Sequence, residues 1–175
     1  MSDTRIESYA TALVQIAQAE GVLDRIKDDM YRVARAAESS DQLRSVLNDE
    51  LIPAERRQTI VEALLEGKGH PLSSHLVGLV IGSGRGRDLA AILDIVAARG
   101  ASESGMNLAE VRSAVALSAD QQTRLAAALS KRTGKTVDLK VVVDPSVVGG
   151  IVATVGDIVI DGTVRTNLDQ LKSRL

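Results

Sequence analysis

The residues most suggestive of chemistry are Gly134-Lys135-Thr136, which end the segment KRTGKT. The same trio closes a nucleotide phosphate loop when another glycine stands five residues ahead of the first. Position 129 is a leucine inside a helical pattern, so the segment reads as a helix end followed by a strand. The stretch GSGRGR at 82–87 is also glycine-rich, but its glycines fall at 82, 84 and 86 and no strand precedes them. It reads as a loop between helices rather than a dinucleotide fingerprint. His70 and His75 are five apart across Pro71 and lack the i,i+4 spacing that presents two imidazoles to one metal ion. The paired carboxylates Asp28 and Asp29, Asp49 and Glu50, and Glu62 and Glu66 are placed like solvated helix faces, none beside a nucleophile and base on a strand-end turn. With no cysteine in the chain, thiolate chemistry, disulfides and cysteine-bound metals are excluded. No catalytic, cofactor or metal site is therefore expected.

Composition narrows the remaining classes. Of the 175 residues, 45% are apolar and 25% charged, the balance of a soluble globular protein. Two tyrosines are the whole aromatic content, so the cores must be built from Leu, Val, Ile and Ala. Residues 1–105 carry 12 Lys and Arg against 16 Asp and Glu, and residues 106–175 carry 9 against 7. Neither half has the basic footprint of a nucleic-acid binder. Arg56-Arg57, Arg85, Arg87 and Lys131-Arg132 are scattered, with no aromatic platform beside them. The start lacks a basic segment followed by an apolar one, and the run from Leu76 to Gly82 is far shorter than the roughly 18 residues of a spanning helix. A cytoplasmic protein without direct membrane insertion is expected.

Periodicity supplies the elements. Ile6, Tyr9, Ala10, Leu13 and Ala17 follow a 3.6-residue period, and Val14 and Ile16 add apolar surface beside that stripe. Such a helix either lies in a groove against a partner or is enclosed by its own neighbours, and Leu72 to Ile81 carries the same ambiguity. Leu23, Ile26, Met30, Val33 and Ala37 predict a second helix, and Leu43, Val46 and Leu47 a short third. A fourth opens at Ile52-Pro53, buries Ile60, Val61, Leu64 and Leu65, and ends by Gly67. Leu72, Leu76, Leu79 and Val80 predict a fifth, and Leu89, Ile92, Leu93 and Val96 a sixth. Six short helices with brief connections imply a bundle over 1–105, closed by the linker ASESG at 101–105.

Residues 106–175 read as a small α/β module with a mixed sheet and a hairpin, which makes the whole chain α+β. Val111 to Leu117 alternates as a strand, and Ser118-x-x-Gln121 is a capping box opening a helix that runs to Gly134. Val137 to Val143 alternates as a second strand, stopped by Asp144-Pro145. Ile151 to Val155 and Ile158 to Ile160 are joined by Gly156-Asp157 in a two-residue hairpin turn, and Asp161-Gly162 turns the chain again. Val164, Leu168, Leu171 and Leu175 predict a last amphipathic helix.

The segment VVVDPSVVGGIVATVGDIVIDGTVRTNLDQLKSRL closely resembles the carboxyl-terminal signature of the delta subunit of F-type ATP synthases, the family that includes the mitochondrial oligomycin sensitivity-conferring protein. YATALVQIAQAEG is similar to that family's first helix and LIPAERRQTIVEALL to its fourth. AEVRSAVALSADQQTRLAAALSKRTGKTVDL is similar to its strand-helix-strand passage, so the likeness runs in order along nearly the full length. Two features depart from the family pattern: the GSG before Arg85, and the absence of phenylalanine from the helical half.

The resemblance implies a non-catalytic connector of the peripheral stalk, held at the cytoplasmic face of the cell membrane through the ATP synthase complex. Its amino-terminal half would accept the amino-terminal helices of alpha subunits in a groove near Tyr9, Leu13, Leu76 and Val80. Its carboxyl-terminal half would hold the b subunits. Asp144, Pro145, Gly149, Gly150, Gly156, Asp157, Asp161 and Gly162 would form the turns that shape this second half. A small enzyme, revealed by turnover of the isolated chain, and a nucleic-acid-binding adaptor, revealed by salt-dependent oligonucleotide binding, are the competing classes.

Overall fold

A computed structural model of the protein describes residues 2–65, 67–147 and 149–163. The described chain is α+β, with seven α-helices and one four-stranded mixed sheet. It divides into two compact units, Met1–Gly100 and Ala101–Leu175.

The helices of the first unit are α1 (Ser2–Ala19), α2 (Leu23–Ser39), α3 (Asp41–Asn48), α4 (Ala54–Leu64), α5 (Pro71–Gly82) and most of α6 (Leu89–Glu103), whose last three residues fall in the second unit, with a 3-10 turn at Gly86–Asp88 before α6. All six contribute to one apolar core, which includes Leu13, Met30, Leu47, Val61, Val77 and Leu93. The second helix buries Ile26, Met30, Val33 and Ala37 as its periodicity predicts. The fourth departs in detail. Pro53 is its N-cap, Val61 and Leu65 are buried while Ile60 and Leu64 are half-buried, and Arg57 is buried beside them.

Helix ends follow from local chemistry. Past α5, Gly84 takes φ +73, so that its amide reaches the Ile81 carbonyl and the Arg85 amide reaches that of Val80. This paired closure needs the left-handed backbone that glycine adopts without penalty. The same closure ends α1 and α6. For α6 it revises the expected linker: Ala101–Glu103 form the helix's last turn, and only Ser104 and Gly105 lie outside it. At the start of α5, Pro71 occupies the first turn and His70 is the N-cap, its Nδ1 accepting from the Leu72 amide at 3.2 Å. The buried Asp29 of α2 holds this corner. Its Oδ2 accepts from the His70 amide at 2.8 Å and the Ser73 hydroxyl at 2.6 Å, while Oδ1 pairs with Arg32.

The second unit contains β1 (Asn107–Ser113), α7 (Ala119–Thr133), β2 (Val137–Val143), β3 (Ile151–Val155) and β4 (Ile158–Asp161). The sheet order is β2-β1-β3-β4, with β1 and β2 parallel across the α7 crossover and the other pairs antiparallel. A core of Ala109, Val111, Leu129, Val137, Ala153 and Val155 joins α7 to the sheet. The capping box is present, with Ser118 accepting from the Gln121 amide and Gln121 accepting from the Ser118 amide, and Gly134 closes the helix at φ +70. The lysine and threonine after that glycine therefore lead from a helix end into β2.

The first strand lies four residues earlier than the alternation at 111–117 implies. Its inward set is Ala109, Val111 and Ser113, and Val115 stands outside it, 66% exposed. The phase of the pattern is right, but the strand runs where β2 pairs with it, Asn107 to Ser113, with β3 joining from Ala109. The predicted last helix, Val164 to Leu175, falls outside the described residues.

Candidate functional site

Two helices and one set of turns carry the expected binding residues. On α1 the groups at Ala10, Leu13, Val14 and Ala17 face the core, and on α5 Leu76, Val77, Val80 and Ile81 do the same. Leu13, Leu76 and Val80 are thus enclosed within the first unit, while Tyr9 is half-buried against the same core. The two helices touch each other.

What these helices leave outside is more informative. Ile16 on α1 is 38% exposed and Leu79 on α5 is 53% exposed. Ile16 already stands beside the stripe in the sequence. Leu79 follows Leu76 by three residues, a step that taken alone groups it with the buried side. The inner face of α5 is instead the doublets 76–77 and 80–81, whose centre lies about 100° or more around the helix from position 79. A doublet pattern, read in place of a single i,i+3 step, identifies Leu79 as the outward residue.

In the second unit the turn residues fall into two similar devices. Asp144 Oδ1 accepts from the Ser146 amide at 2.9 Å and its hydroxyl at 2.6 Å, and Asp161 Oδ1 accepts from the Thr163 amide at 2.9 Å. Both are aspartates folding the chain back on the residue two ahead, with Pro145 inside the first turn and Gly162 inside the second. The Ser146 hydroxyl and amide hold the Asp144 carboxyl below the usual carboxylate range, with a smaller contribution from Arg112, whose Nη1 lies 3.6 Å from it.

Gly149 and Gly150 both have positive φ, +63 and +84. Gly150 runs so close to the chain leaving β4 that a Cβ there would strike the Gly162 carbonyl oxygen and lie 2.9 Å from the Cα of Thr163. The Gly162 amide donates to the Ile151 carbonyl at 2.9 Å. Entry to β3 and exit from β4 are therefore locked together. At the far end of the hairpin Gly156, at φ +57, and Asp157 connect the paired residues Val155 and Ile158.

Among the described residues no helix is long and apolar enough to cross a membrane. The family described as ATP synthase delta (OSCP) subunit matches residues 6–175. Proteins described as ATP synthase subunit delta are similar throughout. The one from Streptomyces griseus is 37% identical over 99% of this chain and 64% of its own length, and that from Nocardia farcinica 34% identical over 100% and 65%. That from Symbiobacterium thermophilum is 34% identical over 95% of this chain and 90% of its own length. The chain thus spans slightly less than two thirds of the first two relatives and nearly all of the third. A chain of the cryo-EM structure of the Toxoplasma gondii mitochondrial ATP synthase hexamer superimposes with a TM-score of 0.58 and 26% identity, covering 97% of this chain and 96% of that one. Helices first, then a sheet closed by the Gly150 and Gly162 contact, all within a family match that begins at residue 6, lead to one assignment: the chain belongs to the ATP synthase delta (OSCP) subunit family.

Proposed function

We infer that this protein is a non-catalytic connector in the peripheral stalk of an F-type ATP synthase, working at the cytoplasmic face of the cell membrane as part of that complex. Residues 1–105 act as a six-helix bundle that receives alpha-subunit amino-terminal helices. Residues 106–175 hold the distal ends of the b subunits. The chain needs no cofactor or metal for this, because its work is mechanical: rotor torque would turn the catalytic head unless the outer stalk holds it still.

The observation that carries this reading is the ordered family match from residue 6 to residue 175, which takes in both units. Burial supports a division of roles within this reading. Buried Leu13, Leu76 and Val80 set the positions of α1 and α5, and Tyr9, Ile16 and Leu79 offer the apolar contact. The turns at Asp144-Pro145, Gly149-Gly150, Gly156-Asp157 and Asp161-Gly162 stiffen the sheet against which stalk helices pack.

Co-purification tests it. The tagged chain should join an alpha-containing head to membrane-bound b subunits, and a preparation lacking the chain should lose that link while the head keeps ATP hydrolysis. A head that remains attached and coupled without the chain would overturn the reading.

A further inference from the structure

One cleft in the first unit is used by none of these roles. It encloses about 390 Å3 between the end of α3 with the connection after it, which bring Asn48, Asp49 and Glu50, and the α5–α6 loop, which brings Gly86 and Arg87, with Arg57 of α4 also lining it. Arg57 is only 6% exposed. Its Nη1 donates to the Leu47 carbonyl at 3.1 Å, its Nε is enclosed without an acceptor, and no carboxylate pairs with it among the described residues. The Leu47 carbonyl belongs to the negative end of α3, which offsets part of the charge. A guanidinium has five donors, and burying one so incompletely matched is costly. Asn48 Oδ1 is enclosed in the same cleft without a donor.

The glycine-rich loop shapes this cleft. A Cβ on Gly86 would stand 2.7 Å from Asn48 Oδ1 and 3.1 Å from the Leu47 carbonyl oxygen, so glycine lets the loop press onto the end of α3. Arg87 follows directly and is exposed.

We propose that this cleft binds a carboxylate, held between the Arg57 and Arg87 guanidinium groups. A planar two-oxygen acid matches the guanidinium fork. Phosphate is the poorer fit, because Asp49 and Glu50 line the same cleft and repel a dianion more than a single charge. A metal cation would meet both arginines. The carboxylate belongs either to a free small acid or to an acidic side chain of a peptide. The site lies within one unit and does not depend on the connector reading.

The test uses the isotope-labelled full chain, titrated separately with acetate, the blocked peptide Ac-Gly-Glu-Gly-NH2 and inorganic phosphate. At least one carboxylate probe should give saturable shifts at the Asn48, Gly86 and Arg87 amides, and both Arg87→Gln and Arg57→Lys should weaken that binding tenfold or more. Arg87→Gln alters an exposed side chain, so its thermal melt should match the parent and the loss can be read without unfolding. Shifts with acetate alone identify a free acid as the ligand, and shifts with the peptide alone identify an acidic side chain. The absence of saturable shifts, unchanged affinity in Arg87→Gln, or phosphate binding as tightly as the better carboxylate probe would overturn the proposal.

Discussion

Gly150 and Gly162 are in backbone contact, with the carbonyl oxygen of one occupying the space where a side chain on the other would begin. Because Gly150 is also at φ +84, any substitution there meets both a collision and a strained backbone. Gly150→Ala should cost at least about 3 kcal/mol. Gly156→Ala is the control, since φ is +57 but nothing lies within 4 Å of its Cβ position. It should cost only about 1–2 kcal/mol of left-handed strain. Residue-resolved hydrogen exchange checks both, with protection falling in β1, β3 and β4 and persisting in α2.

The Asp144 turn gives a pH dependence of definite sign. Its carboxyl is held below the usual range by Ser146 and Arg112, so the folded state favours the ionised form. That contribution is fully present above the unfolded value of about 3.9 and disappears as the pH falls through the lower folded value. Asp144→Ala should lower the melting temperature at pH 7, and the difference from the parent should shrink on titration toward pH 2. Asp144→Asn, which keeps an acceptor for Ser146, should retain more of the turn's stability. A parent-to-alanine difference that stays constant with pH would refute the assignment.

Much of this architecture is legible in the sequence because local chemistry and tertiary need agree there. Ser118 and Gln121 cap α7 on their own spacing, Gly134 ends it, and Gly156-Asp157 turns the hairpin between two strands rich in β-branched residues. The exceptions arise where packing chooses among equivalent local patterns. β1 starts at Asn107 because β2 pairs with it there, two residues before β3 joins at Ala109, although Asn107 interrupts the apolar inward set. Arg57 looks like half of a surface Arg-Arg pair, and only the approach of α3 and the α5–α6 loop encloses it. Resemblance places Leu13, Leu76 and Val80 near a partner groove, and burial separates them from Ile16 and Leu79, the apolar residues that their helices leave partly outside.

Asp29 should be the most sensitive polar residue of the first unit. Asp29→Ala removes the acceptor for the His70 amide and the buried Ser73 hydroxyl together, at a cost of about 3 kcal/mol. Asp29→Asn preserves one acceptor and should lose less. Urea unfolding midpoints give the size of both effects. Faster amide exchange at Leu72 and Ser73, ahead of exchange in α6, would show that the damage begins at the start of α5.

Ile16 and Leu79 separate binding from folding. Both side chains are partly outside the core, so Ile16→Ala and Leu79→Ala should each change stability by less than about 1 kcal/mol. Leu13→Ala opens a cavity and should cost about 2–5 kcal/mol. If these exposed groups meet an alpha-subunit helix, either surface variant should weaken binding of an alpha amino-terminal peptide about tenfold, or about 1.4 kcal/mol, in calorimetry. Wild-type affinity in both surface variants would remove α1 and α5 from that contact, even though Leu13→Ala destabilises the fold. The distinction matters because loss of binding in a core variant is produced equally by a missing contact and by a missing fold, and only a side chain that the fold can spare tells the two apart.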